Sequence, residues 1–222
     1  NKIHTIASVL SFDNVVSRND FSIKFDNYLV WNNYNKDEII DIYDINQEKI
    51  EIIGPLQFDF YYDSNYLITE KEWRKSLSIP NNRKIILFAG GYVDIAPNEQ
   101  DWLKQIDDSI TKGRIKNNPI ILFRIHPVDP IDRWEKVLKQ SNNIIFMEPW
   151  ETATAIKGNT NIQADDIINL CSTLKWTDVH VNASSTMTVD GAIYDKPQIG
   201  PAYDDKGNKI FDKNIKSLYE RK

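Results

Sequence analysis

The sequence predicts an α/β fold in which a parallel sheet carries helices on both faces. From residue 84 onward, short unbroken apolar runs alternate with stretches whose apolar residues recur every three or four positions. Unbroken apolar strands imply burial on both faces, which parallel sheets have and one-sided antiparallel sheets lack. A further regularity points the same way. Gly90, His126, Trp150 and Ser184 each fall just after an apolar run, where the loops of a parallel sheet line a ligand crevice.

Residues 84–89 are the first predicted strand, followed by Gly90-Gly91. A helix is expected over 99–111, because Trp102, Ile106 and Ile110 share one face. Residues 119–125 form the next strand, ending in His126-Pro127, and 131–140 the next helix. The spacing then gives a strand over 143–147 that runs into Glu148-Pro149-Trp150, and a helix over 163–174. The last predicted elements are a strand over 178–182, a helix over 185–194 and a short strand over 198–200. Earlier in the chain, 27–31 and 50–53 read as strands and 36–44 as a helix. That is too little for an independent doubly wound domain. Residues 1–58 are therefore expected to be the end of a preceding domain with its crossover, and 59–222 a Rossmann-like ligand-binding domain. Residues 215–222 read as an unfinished helical pattern, so a longer protein is expected.

Composition narrows the partners. The 222 residues carry a formal net charge of −5, which argues against a general nucleic-acid binder, since phosphate-backbone binding needs a basic surface. No apolar run approaches the ~20 residues of a membrane-spanning helix. The single cysteine, Cys171, permits no internal disulfide and sits in a helical apolar pattern as a core residue. Cytoplasmic location is the expectation.

The richest stretch is 178–199. Its hydroxyl turn puts Ser184, Ser185 and Thr186 at a helix start, where free N–H groups and the helix dipole favour an anion. The same residues could equally serve as an ordinary helix cap. Asp190 lies one turn beyond Thr186, about 6 Å along the axis, roughly the separation of a nucleotide's phosphate from its ribose hydroxyls. It could also be a plain surface charge. Arg124 and His126, two apart on a strand end, point to one side. There they could clamp phosphate and donate to it, or form a surface ion pair and precede a turn. Gly90 and Gly91 would admit close backbone approach or simply turn the chain. Trp150 could pack on a base or within a lid. His180, alternating with Val179 and Val181, reads as structural, and Asp165-Asp166 as partners of a helix dipole. Neither G-x-G-x-x-G nor a P-loop is present, and no zinc or hydrolase signature occurs.

Three segments, Arg124-Ile-His-Pro127, Asp178-Val-His-Val-Asn-Ala-Ser-Ser-Thr186 and Asp190-Gly-Ala-Ile-Tyr-Asp-Lys-Pro197, resemble the C-terminal, donor-binding half of GT-B-fold glycosyltransferases. Within that group the chain looks like bacterial surface-carbohydrate enzymes related to CDP-glycerol glycerophosphotransferases and the His-Pro/Ser-Ser type of sialyl- and Kdo-transferases. Upstream, Ser11-Phe-Asp-Asn14, Tyr28-Leu-Val-Trp31 and residues 53–59 look like the end of the first domain of such enzymes. The resemblance implies a transferase for surface polysaccharide (capsule included) that takes a nucleotide-sugar or CDP-linked donor and a carbohydrate or lipid-linked acceptor. His126 would touch the donor phosphate or assist departure, and Ser184, Ser185 and Thr186 would hold phosphate. Asp190 would meet the ribose, the 148–150 loop would lie near the base, and Gly90 and Gly91 would line the cleft. The general base belongs to the first domain, and Asp13 is its candidate. No cofactor or metal is expected, because no Asp-x-Asp pair follows a strand. The full-length protein would work in the cytoplasm, at the inner face of the membrane if its acceptor is lipid-linked. The rival readings are a non-hydrolysing UDP-sugar 2-epimerase-like enzyme, whose phosphate turn carries glycines where this one has Ser-Ser-Thr, and a silent nucleotide-binding domain.

Overall fold

The computed structural model describes residues 3–17, 24–94, 96–127, 129–149, 163–183, 185–201 and 203. The chain forms two compact units, Asn1–Asp63 and Ser64–Lys222.

In the first unit, β1 (Ile6–Ser8), α1 (Asn14–Ser17), β2 (Asn27–Val30), α2 (Asn33–Tyr43) and β3 (Ile50–Ile52) build a parallel three-stranded sheet in the order β1-β2-β3. Helix α2 starts earlier than the apolar spacing suggests because Asn32 caps it, its side chain accepting from Asn35 N at 3.0 Å. The helix stops at Asp44, which takes the left-handed conformation at φ 51°. Val9, Val15, Tyr28, Val30, Ile39 and Ile50 form the core. The loop leaving β1 is held by its own carbonyls. Val9 O accepts from Trp31 Nε1 at 2.8 Å, Leu10 O from Gln57 Nε2 at 2.5 Å, and Phe12 O from Asn35 Nδ2 at 2.8 Å. Ser11 O and Asp13 O accept from Asn14 N and Val16 N, both at 3.1 Å.

The second unit opens with α3 (Glu70–Ser76), started by a reciprocal capping box between Thr69 and Glu72. Then come β4 (Ile85–Ala89), α4 (Glu99–Thr111), β5 (Ile120–Arg124), α5 (Glu135–Gln140), β6 (Ile144–Met147) and α6 (Ala164–Trp176). The unit closes with β7 (Val179–Asn182), α7 (Met187–Ala192) and β8 (Gln198–Ile199). All five strands are parallel, in the order β6-β5-β4-β7-β8. Every residue of β4 and β5 is buried, as their unbroken apolar runs require. Phe88, Phe123 and Trp134 pack tilted or edge-on at 4.3–6.3 Å between ring centroids. Cys171 is buried, and burial pushes its thiol up to about 11. Asp166 closes the α6 start by accepting from Gln163 N at 2.9 Å.

Two predicted helices are shorter than their spacing suggests. Over 131–140 a 3-10 turn at Ile131–Arg133 precedes α5. At 185–194, Asn182 Oδ1 accepts from Ser185 N at 3.1 Å and from Thr188 Oγ1 at 2.7 Å, and Ser185 Oγ accepts from Met187 N at 3.3 Å. These side-chain bonds satisfy the first amides in a turn and delay the helix to Met187.

Candidate functional site

The strand order sets the place of the site. After β4 the chain builds outward through β5 to β6, then returns to lay β7 on the other side of β4. The loops leaving β4 and β7 therefore run to opposite sides, and it is at such a switch point, beyond the carboxyl ends of the strands, that open parallel sheets take their ligands. Gly90 and Gly91 follow β4, and Ser185, Thr186 and Asp190 follow β7. His126 follows β5, next to β4.

The two glycines have packing reasons for lacking a side chain. A Cβ on Gly90 would lie 3.2 Å from Phe123 Cε2 and 3.3 Å from Trp134 Cζ2. One on Gly91 would lie 3.2 Å from Glu99 Oε1. Just beyond them the Tyr92 ring packs 6.2 Å from the His126 ring, so the loops after β4 and β5 meet there. Burial holds His126 below its ordinary pKa; the neighbouring Asp129 charge opposes this and Arg124 adds to it. Burial thus disfavours the charged, imidazolium form of His126.

Arg124 is buried, and its Nη2 donates to Pro149 O at 2.9 Å. It thereby ties the end of β5 to the loop leaving β6, a placement that the strand-end spacing does not reveal. Trp150 and Ser184 lie outside the described residues. Ser185 is half-buried and Thr186 exposed. Asp190 is 9 % exposed, and its amide donates to Thr186 O at 3.1 Å, which confirms the one-turn offset between them. Asp13, in the first unit, accepts from Ser11 Oγ at 2.5 Å. Among the described residues no three His, Cys, Asp or Glu side chains are arranged to hold a metal ion. No described helix is long and apolar enough to cross a membrane.

The Asp190-Gly191 step rests on a residue whose role the sequence hides. A Cβ on Gly191 would lie 2.2 Å from His180 Nδ1 and 2.4 Å from Gln198 Nε2. His180 is 1 % exposed, and burial drives its pKa down to about 4. Thr177 Oγ1 donates to Thr173 O at 2.7 Å, so the 2.8 Å contact with His180 Nε2 makes that nitrogen the donor. Nδ1 then accepts from Gln198 Nε2 at 3.0 Å. The imidazole is neutral and doubly bonded, and Gly191 lets α7 lie directly on it.

The family model for CDP-glycerol:poly(glycerophosphate) glycerophosphotransferase matches residues 7–208. The chain belongs to that family. It is a transferase family, and the matched span includes His126, the turn after β7 and Asp190. No curated protein matches the chain significantly. Among solved structures, the UDP-GlcNAc 2-epimerase from Neisseria meningitidis bound to UDP-GlcNAc is 15 % identical with a TM-score of 0.56, over 81 % of this chain and 45 % of that one. MnaA of S. aureus with UDP is 14 % identical with a TM-score of 0.57, over 88 % and 49 %. A variant of the wall teichoic acid polymerase TagF is 19 % identical with a TM-score of 0.50, over 81 % and 40 %. At such identities these likenesses establish the Rossmann-like fold. The glycerophosphotransferase-family chain spans less than half the length of each.

Proposed function

We propose that residues 64–222 bind the nucleotide-activated donor of a polyol-phosphate transfer, and that this donor is CDP-linked. The strand order is the observation that carries this reading. It puts the residues that follow β4 and those that follow β7 on opposite sides of the switch point, within the span matched by the family model. In the transfer, an acceptor hydroxyl oxygen bonds to the phosphorus that carries the polyol. The bond from that phosphorus to the bridging oxygen breaks, CMP leaves, and the hydroxyl proton passes to a base. His126 would donate to the departing phosphate, gaining affinity for a proton as negative charge develops beside it. Ser184, Ser185 and Thr186 would hold phosphate, Asp190 the ribose hydroxyls, and the loop at 148–150 the base. Arg124 would act by shaping that loop. Asp13 is the proposed base on the acceptor-side unit. The acceptor is a poly(glycerophosphate), carbohydrate or lipid-linked chain of a surface polymer, made at the cytoplasmic face of the membrane without a bound metal.

A thermal-shift series with CMP, CDP, CDP-glycerol, UDP and UDP-GlcNAc tests the donor assignment. A ligand at a hundred times its Kd stabilises by about 2.7 kcal/mol, or roughly 5–10 °C for a unit of this size. CDP-glycerol should give the largest shift, and Ser185→Ala and Asp190→Ala should shrink it. A response to UDP-GlcNAc alone would favour the epimerase reading. No response to any nucleotide removes the donor-site assignment. Transfer by the full-length enzyme should survive EDTA, and nucleotide binding without transfer there would indicate a silent domain.

A further inference from the structure

A buried ionic cluster lies beneath the Tyr92–His126 contact, and the donor chemistry above makes no use of it. Glu99, at the start of α4, has a side chain with 0 % exposure. Its Oε2 accepts from Gly91 N at 2.7 Å and pairs with Arg133 Nη2 at 3.1 Å. Arg133 Nε lies 3.1 Å from Asp129 Oδ2, Nη2 donates to Ala96 O at 3.3 Å, and the guanidinium sits 4.6 Å over the Trp134 ring. Asp129 Oδ1 accepts from Val93 N at 3.1 Å, and Oδ2 from Trp134 Nε1 at 2.7 Å. The Asp129 amide donates to His126 O at 3.0 Å.

The pattern has a direction. Gly91 and Val93, the neighbours of Tyr92 on either side, each give their amide to one of the two carboxylates. One of those carboxylates belongs to Asp129, whose own amide fixes the backbone of His126. A single guanidinium, on a side chain 12 % exposed, joins both acids. Buried ion clusters are poor sources of stability, because desolvation offsets most of the Coulomb gain. What this one supplies is geometry: the loops after β4 and β5 cannot shift independently without breaking a buried charge-assisted bond.

We propose that Glu99, Arg133 and Asp129 form the positioning element of the donor site, holding Tyr92 against His126 and setting the orientation of the imidazole. Asp129 is the main electrostatic partner of His126, opposed by Arg124, with Tyr92 packing on the ring. Glu99 acts at one remove, through Gly91. Burial pushes its carboxyl up to about 7, with the Gly91 amide and Arg133 opposing and Asp129 adding. The link to the donor rests on the proposed function, whereas the link to His126 stands without it.

The test uses NMR titration of the three histidines in the 222-residue chain, with Asp129→Asn and Glu99→Gln, plus CDP binding by calorimetry. Asp129→Asn should lower the His126 pKa by about 0.5 or more, since an attractive charge is removed. His180 should not move. Both variants should change the His126 ring resonances through altered stacking on Tyr92, and weaken CDP roughly tenfold, as loss of one charge-assisted contact would. If His126 keeps its pKa and resonances in both variants, the proposal is wrong, whatever CDP does. If the wild type binds no nucleotide, the donor assignment fails, while the His126 readout still judges the cluster. Should Asp129→Asn not fold, Glu99→Gln carries the resonance test through Gly91.

Discussion

Replacing Gly191 by alanine should destabilise the second unit, although Gly→Ala within a helix ordinarily stabilises by up to about 1 kcal/mol. The added Cβ would lie 2.2 Å from His180 Nδ1, 2.4 Å from Gln198 Nε2 and 2.8 Å from His180 Cε1. Comfortable contact needs about 3.5 Å, so α7 or the imidazole must retreat by more than about 1 Å. The ring has little freedom to do so. It is buried and held on one side by Thr177 and on the other by Gln198. Overpacking of this kind costs about 1–3 kcal/mol, and stripping a buried nitrogen of its partner about 1–3 more. Against the helix-propensity gain, the net expectation is a loss of roughly 2–4 kcal/mol. Urea unfolding followed by tryptophan fluorescence should show the midpoint falling by about 1–2 M at a slope of about 2 kcal/mol/M. The decisive comparison is the same substitution in a His180→Ala background, where the imidazole is gone and the end of the Gln198 side chain, no longer bonded to it, can swing aside. There Gly191→Ala should cost less than about 1 kcal/mol, a coupling that a double-mutant cycle isolates. Equal losses in both backgrounds, or a stabilised single variant, would refute the steric account.

His180 also predicts an acid sensitivity with a definite sign. Its folded pKa of about 4 lies below the ordinary 6.5, so the unfolded chain binds a proton that the folded chain refuses. Stability from this group is complete above pH 6.5 and falls by roughly 3 kcal/mol as pH drops to 4. Chemical denaturation at pH 7.5, 5.5 and 4.5 should therefore show a shallower decline for His180→Gln than for wild type, and parallel declines would contradict the neutral, buried imidazole. Gly90→Ala should cost a smaller amount, about 1–2 kcal/mol, because Phe123 and Trp134 at 3.2 and 3.3 Å need give way only by tenths of an ångström. A thermal melt unchanged by Gly90→Ala would mean that the aromatic cluster is looser than its distances imply.

Much of this architecture can be read along the chain. The runs 85–89 and 120–124 read as doubly covered strands, and the helix between them, α4, carries one apolar stripe. The hydroxyl turn after β7 and its aspartate one turn later also follow from local spacing. What escapes is whatever depends on distances across the fold. Arg124 looks like a strand-end cation free to meet a ligand, yet its guanidinium is buried on a carbonyl 25 residues away in sequence. Glu99, Asp129 and Arg133 look like ordinary surface charges near helix starts, and only the packing of α4 beside the β5 loop joins them. Gly191 carries no local signal at all: its need for a bare Cα arises from His180, on the neighbouring strand. The α7 boundary was hidden for a different reason, since side-chain bonds from Asn182 and Ser185 compete with helix formation in a way that periodicity does not register.

The loop leaving β1 separates shape from composition. Five consecutive carbonyls, from Val9 to Asp13, are each engaged, three of them by Trp31, Gln57 and Asn35, which lie elsewhere in the unit. The contour of the loop is thus written largely outside it, and in backbone atoms that every residue type shares. Drift at positions 10, 12 and 13 can change which group is displayed without altering where it is displayed. If Asp13 is the base, as proposed, relatives could exchange it for another proton acceptor on an unchanged frame, so long as the three distant donors persist.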